Sequence, residues 1–436
     1  MLWKEMRTLG LLAIAAIMGT LTAGTYAAEP VLKTGDLVAI CGDSITEQRQ
    51  YSVFIEDYLL MCQPIAKIHV MQFGWGGDHV VPLTQGRLAN NVLRFHPTVM
   101  TTCYGMNDAH NPISAYRTGS QTMIDQAKKA GVRTIVLGSP GVVDPVFFFN
   151  TREAVQANAY NQILGKLTDI ARELAQQNGL FFADVHTPMM NVMAKAKAKY
   201  GNKYLFTGPD GTHPGPNGHT VMAYAFLKAM NFDGNIGTIS VDLSQGKATA
   251  SEGHKVLSYQ AGTVTIESTR YPFCFTGKPD DTSPNANSGI IAFFPFNEDL
   301  NRLTLVVANP TAEKLKVTWG KVSKVFNKAE LTQGINLAAE FLENPFCAQF
   351  QKVHTAVVAQ QNFETMFIRG FITYLSSYQD FASEKNKVAL EGLAADGTNK
   401  DKALCDAAAA LVIPIRHTLV IEEVHTPNPL TGAVPP

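Results

Sequence analysis

Ser44 stands in the segment Ile40-Cys41-Gly42-Asp43-Ser44-Ile45-Thr46-Glu47, between an apolar run and a helical pattern. At a helix N-terminus, free backbone N–H groups and the helix dipole favour developing negative charge, which suits a nucleophilic oxygen and the oxyanion it generates. Read alone, Ser44 is better explained as a helix cap, with Glu47 three residues on completing a capping box. Three further segments shift that balance. Phe73-Gly74-Trp75-Gly76-Gly77-Asp78 follows a second apolar run, and successive glycines let backbone N–H groups approach a ligand, although a glycine-rich turn after a strand is routine. Tyr104-Gly105-Met106-Asn107-Asp108 follows a third run; Asn107 either satisfies its own backbone or donates its amide to an oxyanion. Asp210-Gly211-Thr212-His213-Pro214 comes last. Asp and His three apart in one turn can set a carboxylate against an imidazole, fixing its tautomer and stabilising the imidazolium formed when it takes a proton from serine.

The elements that must position these residues alternate regularly. Candidate strands are Leu37–Ile40, Ile68–Phe73, Thr98–Tyr104, Arg133–Gly138 and Leu180–Val185, with helical stretches such as Tyr51–Cys62 and Glu153–Gln177 between them. Five strands separated by helices predict a parallel sheet with helices on both faces, and such a sheet gathers its site at the C-terminal ends of the strands. After Asn231-Phe232-Asp233-Gly234 the pattern changes. Leu303–Ala308 and Lys314–Trp319 run like strands of a small sandwich, and Leu337 to about Ala410 reads as helical and Ala-rich with a polar gap near Asp396-Gly397. A last β-like run, Val412–Val424, is placed to return to the second sheet.

The four segments, in this order, resemble the SGNH hydrolases, also called GDSL-like lipases and esterases, over about Lys33 to Phe232. The resemblance implies a three-layer α/β/α, flavodoxin-like domain with a parallel five-stranded sheet, followed here by a smaller β-rich and helical region. It implies Ser44 as nucleophile, Asp210 as orienting acid and His213 as general base. It also implies an oxyanion hole built from the Ser44 N–H, the Gly77 N–H and the Asn107 side chain, with no metal and no cofactor. Ile45 stands where the family often has Leu, a common variant, and the roughly 200 residues past Phe232 fall outside the shared pattern. Trp75 is a candidate wall of the substrate pocket, with a buried packing role as the alternative. His219 reads as structural, Ser139-Pro140-Gly141 as a turn or site lining, and Lys195, Lys197 and Lys199 as a solvated helix face.

Bulk properties narrow the class. Of 436 residues, 46% are hydrophobic and 17% charged, enough apolar content for more than one folded unit, and the net charge of −1 offers no footprint for nucleic acid. Lys4 and Arg7 precede the apolar run Leu9 to Leu21, and small residues follow to Ala28, as in a secretory signal peptide; an uncleaved anchor is the alternative. The division expected is a signal peptide at 1–27, a hydrolase domain at 30–235 and an accessory region at 236–436, β-rich to 336 and then helical with a terminal strand. A secreted or periplasmic protein without an integral span follows. Six scattered cysteines without a CxxC pair argue against zinc and against a dense disulfide scaffold, and leave one or two disulfides open. The functional expectation is a serine esterase acting on a small-molecule or polysaccharide ester, an O-acetyl group on carbohydrate being favoured. A lipid or lysophospholipid esterase, and a non-catalytic carbohydrate-binding protein on a hydrolase scaffold, are the alternatives.

Overall fold

Short apolar runs flanked by helices pair in parallel when both faces of the sheet are to be covered. In the computed structural model, which describes residues 30–148 and 154–424, five such runs form one sheet. They are β1 (Leu37–Gly42), β2 (His69–Gln72), β3 (Val99–Cys103), β4 (Thr134–Gly138) and β5 (Phe181–Ala183), in the order β2-β1-β3-β4-β5. All neighbours are parallel, with Ile40 of β1 opposite Gln72 on one side and Thr101 on the other. The helices are α1 (Ser44–Glu47), α2 (Tyr51–Asp57, continuing as a π-helical turn to Cys62), α3 (Ile113–Lys129), α4 (Ala154–Asn178), α5 (His186–Tyr200) and α6 (Pro216–Ala229). Contacts of α3 with α4 and of α2 with α6 build the two outer layers. The α/β/α expectation is met. The signal-like segment at 1–27 lies outside the described residues, and no described helix is long and apolar enough to cross a membrane. All six cysteines are free thiols.

Beyond Gly234 two further sheets form. One has the order β13-β10-β6-β7 and the other β12-β11-β14-β9-β8. Their strands are β6 (Asn235–Asp242), β7 (Lys247–Ala250), β8 (His254–Gln260), β9 (Thr263–Ser268), β10 (Arg302–Ala308), β11 (Lys314–Trp319), β12 (Val322–Asn327), β13 (Ile335–Asn336) and β14 (Ile415–Glu423). Alternate residues of β9, β10 and β11 are buried, as expected of strands with one face inward. The last strand, β14, pairs between β11 and β9, antiparallel to both. A buried relay of hydrogen bonds ties the sheets together. The Trp319 indole N–H donates to His417 Nδ1 (3.1 Å), His417 Nε2 to Ser268 Oγ (2.9 Å), Ser268 to His254 Nδ1 (2.7 Å), and His254 Nε2 to the Ile236 carbonyl (3.0 Å). Indole only donates and carbonyl only accepts, so both tautomers in the relay are determined. Burial pushes the His417 imidazole down to about 3 and lowers His254 as well, keeping both neutral.

Between β13 and β14 the chain leaves this sandwich as two long helices, α7 (Cys347–Gly370) and α8 (Glu384–Ala410), which pack on β2, the edge strand of the first sheet. The polar gap expected near Asp396-Gly397 is absent: α8 runs through it. A Cβ on Gly397 would sit 2.1 Å from the Phe367 ring, so glycine there permits the close approach of α8 to α7. Of the α5 lysines, Lys195 and Lys199 are exposed as expected, whereas Lys197 is only 12% exposed and pairs with Asp144 at 2.7 Å, because the loop after β4 packs over it.

The seam between β2, α2 and α7 buries carboxyls. Glu56 accepts from Gln360 Nε2 (3.0 Å) and Gln361 Nε2 (2.8 Å), and Glu364 accepts from the Gln72 N–H (2.7 Å). Asp57 meets His354 at 2.7 Å and Asp401 meets His69 at 2.8 Å. Burial pushes the Glu56 and Glu364 carboxyls up; Asp57 and Asp401 raise Glu56 further, and Asp401 and Glu56 raise Glu364 further. They therefore bind protons more tightly folded than unfolded. Their stabilising contribution is complete below the ordinary carboxylate range and is lost as pH rises through the raised values. The melting temperature should fall between about pH 5 and about pH 9, and fall less in Glu364→Gln; equal slopes for wild type and variant in thermal melts would contradict this.

Candidate active site

Strand β1 delivers the first residue. Its buried ladder ends at Gly42, and Asp43 caps α1, its carboxylate accepting the Ile45 N–H at 3.0 Å. Capping thus falls to Asp43 and not to Ser44. Ser44 becomes the first helical residue, with a backbone N–H that the helix leaves without an acceptor and a side chain that is not spent on the cap. Burial pushes the Asp43 carboxyl up to about 7, against the lowering effect of the Ile45 N–H.

The loop Gly208–His213 carries the partner. Asp210 Oδ1 accepts the N–H groups of Thr212 (2.9 Å) and His213 (3.0 Å), and Oδ2 accepts His213 Nδ1–H at 2.6 Å. With the proton on Nδ1, Nε2 is an acceptor, and the Ser44 hydroxyl donates to it at 2.7 Å. Burial alone would raise the Asp210 carboxyl, but the His213 backbone and side-chain hydrogen bonds and the Thr212 N–H outweigh it and hold it below the usual carboxylate range. Asp210 and His213 are both partly exposed, so the imidazole opens to solvent.

The glycine loop docks on β1 through Phe73 N–H to the Ile40 carbonyl (2.8 Å) and Trp75 N–H to the Gly42 carbonyl (3.0 Å). Gly77 adopts φ +75°, a left-handed conformation in which a side chain would be strained. Asn107 Nδ2 donates to the carbonyl of Asp78 at 2.9 Å, which ties this side chain to the loop that carries Gly77 and leaves its second N–H without an acceptor among the described residues. Asp108 reinforces the join by accepting the Val80 N–H at 3.0 Å. Trp75 is half-buried, and the guanidiniums of Arg369 and Arg87 lie over its ring at 4.5 and 5.2 Å. Its indole is already engaged by two cations. His219 sits buried on α6, accepting the Tyr51 N–H at Nδ1 (3.3 Å) and donating from Nε2 to Gln48 Oε1 (3.0 Å); it has partners, which the sequence reading did not supply. Ser139 Oγ accepts the N–H groups of Val185 and His186 and so joins the end of β4 to α5.

The structure therefore brings Ser44, His213 and Asp210 into one hydrogen-bonded line and binds Asn107 to the Gly77 loop. It adds residues that the sequence reading missed. Arg87 pairs with Asp78 and donates to the Tyr104 hydroxyl (3.2 Å), and Arg369, from α7, pairs with Glu47 one turn beyond Ser44. Asp108 is adjacent to Asn107 and was within reach of a closer reading; Arg369, more than 300 residues from Glu47, carried no local signal.

Residues 40–221 match the GDSL-like lipase/acylhydrolase family. The segment belongs to that family. Residues 40–221 thus carry a GDSL-like lipase/acylhydrolase domain. Among solved structures, a gut microbial diltiazem-metabolizing enzyme, BT4096, shares the fold with a TM-score of 0.72 at 21% identity, over 91% of this chain and 99% of that one. That likeness extends past the GDSL-like segment into the sandwich and the long helices. An acetylxylan esterase from Geobacillus stearothermophilus, Axe2, is similar at 17% identity over 46% of this chain and 95% of its own, with a TM-score of 0.38. LAE5, an alpha/beta hydrolase from the metagenome of Lake Arreo, is similar at 21% identity over 46% and 96%, with a TM-score of 0.35. No curated protein matches the chain.

Two substitutions separate the contributions. Asn107→Ala should lower kcat by about 10²–10³, the loss typical of one oxyanion donor. Asp210→Asn should lower it by about 10⁴ by allowing the wrong imidazole tautomer. Steady-state kinetics on a chromogenic ester, with circular dichroism to check the fold, measures both.

Proposed function

We propose that this chain is a secreted esterase that removes a short acyl group, an O-acetyl group in particular, from a carbohydrate by two-step acyl transfer through Ser44. The observation that carries the reading is the line from Ser44 Oγ to His213 Nε2 (2.7 Å) and from His213 Nδ1 to Asp210 (2.6 Å). In the first step His213 takes the hydroxyl proton as Ser44 Oγ bonds to the ester carbonyl carbon, and the carbonyl oxygen becomes an oxyanion. The N–H groups of Ser44 and Gly77 and the free N–H of Asn107 hydrogen-bond that oxygen. Collapse of the tetrahedral species expels the alcohol, which leaves with the proton held by His213. Water then attacks the acyl-enzyme with His213 as base, and the acid departs as Ser44 recovers its proton. Asp210 stays ionised throughout, in keeping with its lowered pKa.

The substrate class rests on the signal-like N-terminus, on the sandwich appended to the hydrolase domain and on a family that includes carbohydrate esterases. A binding protein on a hydrolase scaffold has no need of all five of Ser44, Gly77, Asn107, Asp210 and His213. A fluorophosphonate should label Ser44 in the native protein, and Ser44→Ala should abolish both the adduct and turnover while leaving the melting temperature close to wild type. Absence of an adduct sinks the serine mechanism. Across esters of one alcohol, acetate should be preferred; a strong preference for long acyl chains would point to a lipid esterase instead.

A further inference from the structure

Gln48, four residues past Ser44 in the chain, and Pro216, three past His213, line a cavity of about 360 Å³ together with Arg49, Gln50, Asn285 and Asn362, the apolar Val53, Phe54 and Val358, and His354, which pairs with Asp57. It takes residues from both regions. Gln48 to Phe54 and Pro216 come from the hydrolase domain, Asn285 from the loop after the sandwich strand β9, and Asn362 from α7.

Several of its lining side chains keep polar groups without full partners among the described residues. His219 donates to Gln48 Oε1, so the amide end of Gln48 bears two N–H groups for which the described residues give no acceptor. Gln50 Oε1 is closed off from solvent and has no hydrogen-bond partner among the described residues. Arg49 has φ +56°, rare for a residue with a side chain; its only described side-chain hydrogen bond is to Thr365 Oγ1 at 3.3 Å, and among the described residues no carboxylate pairs with it. The Asn285 loop is pressed onto the active-site turn: a Cβ on Gly215 would sit 2.3 Å from the Pro284 carbonyl oxygen, and Asn287 Nδ2 donates to Thr220 on α6 (3.2 Å).

We propose that this cavity is a subsite for the hydroxyl-rich alcohol half of the ester, a sugar unit of an oligosaccharide, held by the amides of Gln48, Asn285 and Asn362 and by the Arg49 guanidinium. Amides that both donate and accept, beside a forked donor and apolar side chains, match the alternating hydroxyls and C–H faces of a sugar ring. A simple alkyl ester would leave these groups unpaired, and a lipid chain would bury them against hydrocarbon. The inference rests on the esterase reading above and assigns the accessory region a part in choosing the substrate.

The test uses the full chain and the deacetylated alcohols alone, so it does not depend on turnover. Isothermal titration with xylotetraose, cellotetraose and mannotetraose should show binding of at least one of them. Asn362→Trp, which fills the cavity, and Arg49→Ala should each weaken that binding by about tenfold or more. Lys352→Ala, exposed on α7 outside the cavity, should leave it unchanged, and melting temperatures check the fold of each variant. Binding retained within about twofold in both cavity variants overturns the proposal, as does binding of none of the three sugars. Wild-type hydrolysis of p-nitrophenyl acetate, whose alcohol carries no sugar hydroxyls, tests the esterase reading separately.

Discussion

A parallel sheet ends in a strand whose outward N–H and C=O groups need partners, and much of this molecule follows from how that need is met at β2. The chain supplies no further strand there. Side chains of α7 and α8 bond the edge instead: Gln360 Nε2 donates to the Val70 carbonyl (3.1 Å), Glu364 accepts from the Gln72 N–H (2.7 Å), and the Cys405 thiol points to the Ile68 carbonyl (3.6 Å). Two residues past this edge begins the glycine loop with Gly77. The helices that close the sheet therefore also brace the loop, and Arg369 at the end of α7 reaches Glu47 and Trp75. The accessory region is built into the hydrolase domain rather than tethered to it.

Closing an edge with polar side chains has an electrostatic consequence. Glu56, Asp57, Glu364 and Asp401 lie fully buried, and burial disfavours the charged forms of Glu56, Asp57 and Glu364 more than the amides and the imidazole that meet them favour those forms. An apolar seam would be less sensitive to pH. It would also leave the backbone groups of β2 unpaired, a cost comparable to losing hydrogen bonds outright. At the active site the same economy of polar groups shows in Asp210. One of its oxygens folds the turn by accepting two backbone N–H groups, while the other orients the imidazole.

Much of the hydrolase domain was legible because its signals are local. Apolar runs of strand length separated by helical patterns specify a parallel sheet, and all four motifs lie at strand ends or in the last loop. The capping of α1 was less legible, since Asp43 and Ser44 are both good caps and only backbone geometry selects between them. Gly397 and Lys197 misled for a related reason. A glycine in a polar stretch reads as a break and a lysine on a helix reads as solvated, unless a partner from elsewhere needs the space or the charge.

By itself the sequence determined the α/β class and the order of the four motifs along the chain, since these depend on short-range pattern. Tertiary structure alone decided that His213 Nε2 meets Ser44 across 169 positions, that Arg369 lies over Trp75, and that Asn362 and Gln48 line one cavity. Those meetings depend on how helices inserted between two distant strands fold back on a sheet edge. No local periodicity encodes such a contact, because its stabilisation comes from groups brought together only when the whole chain has packed.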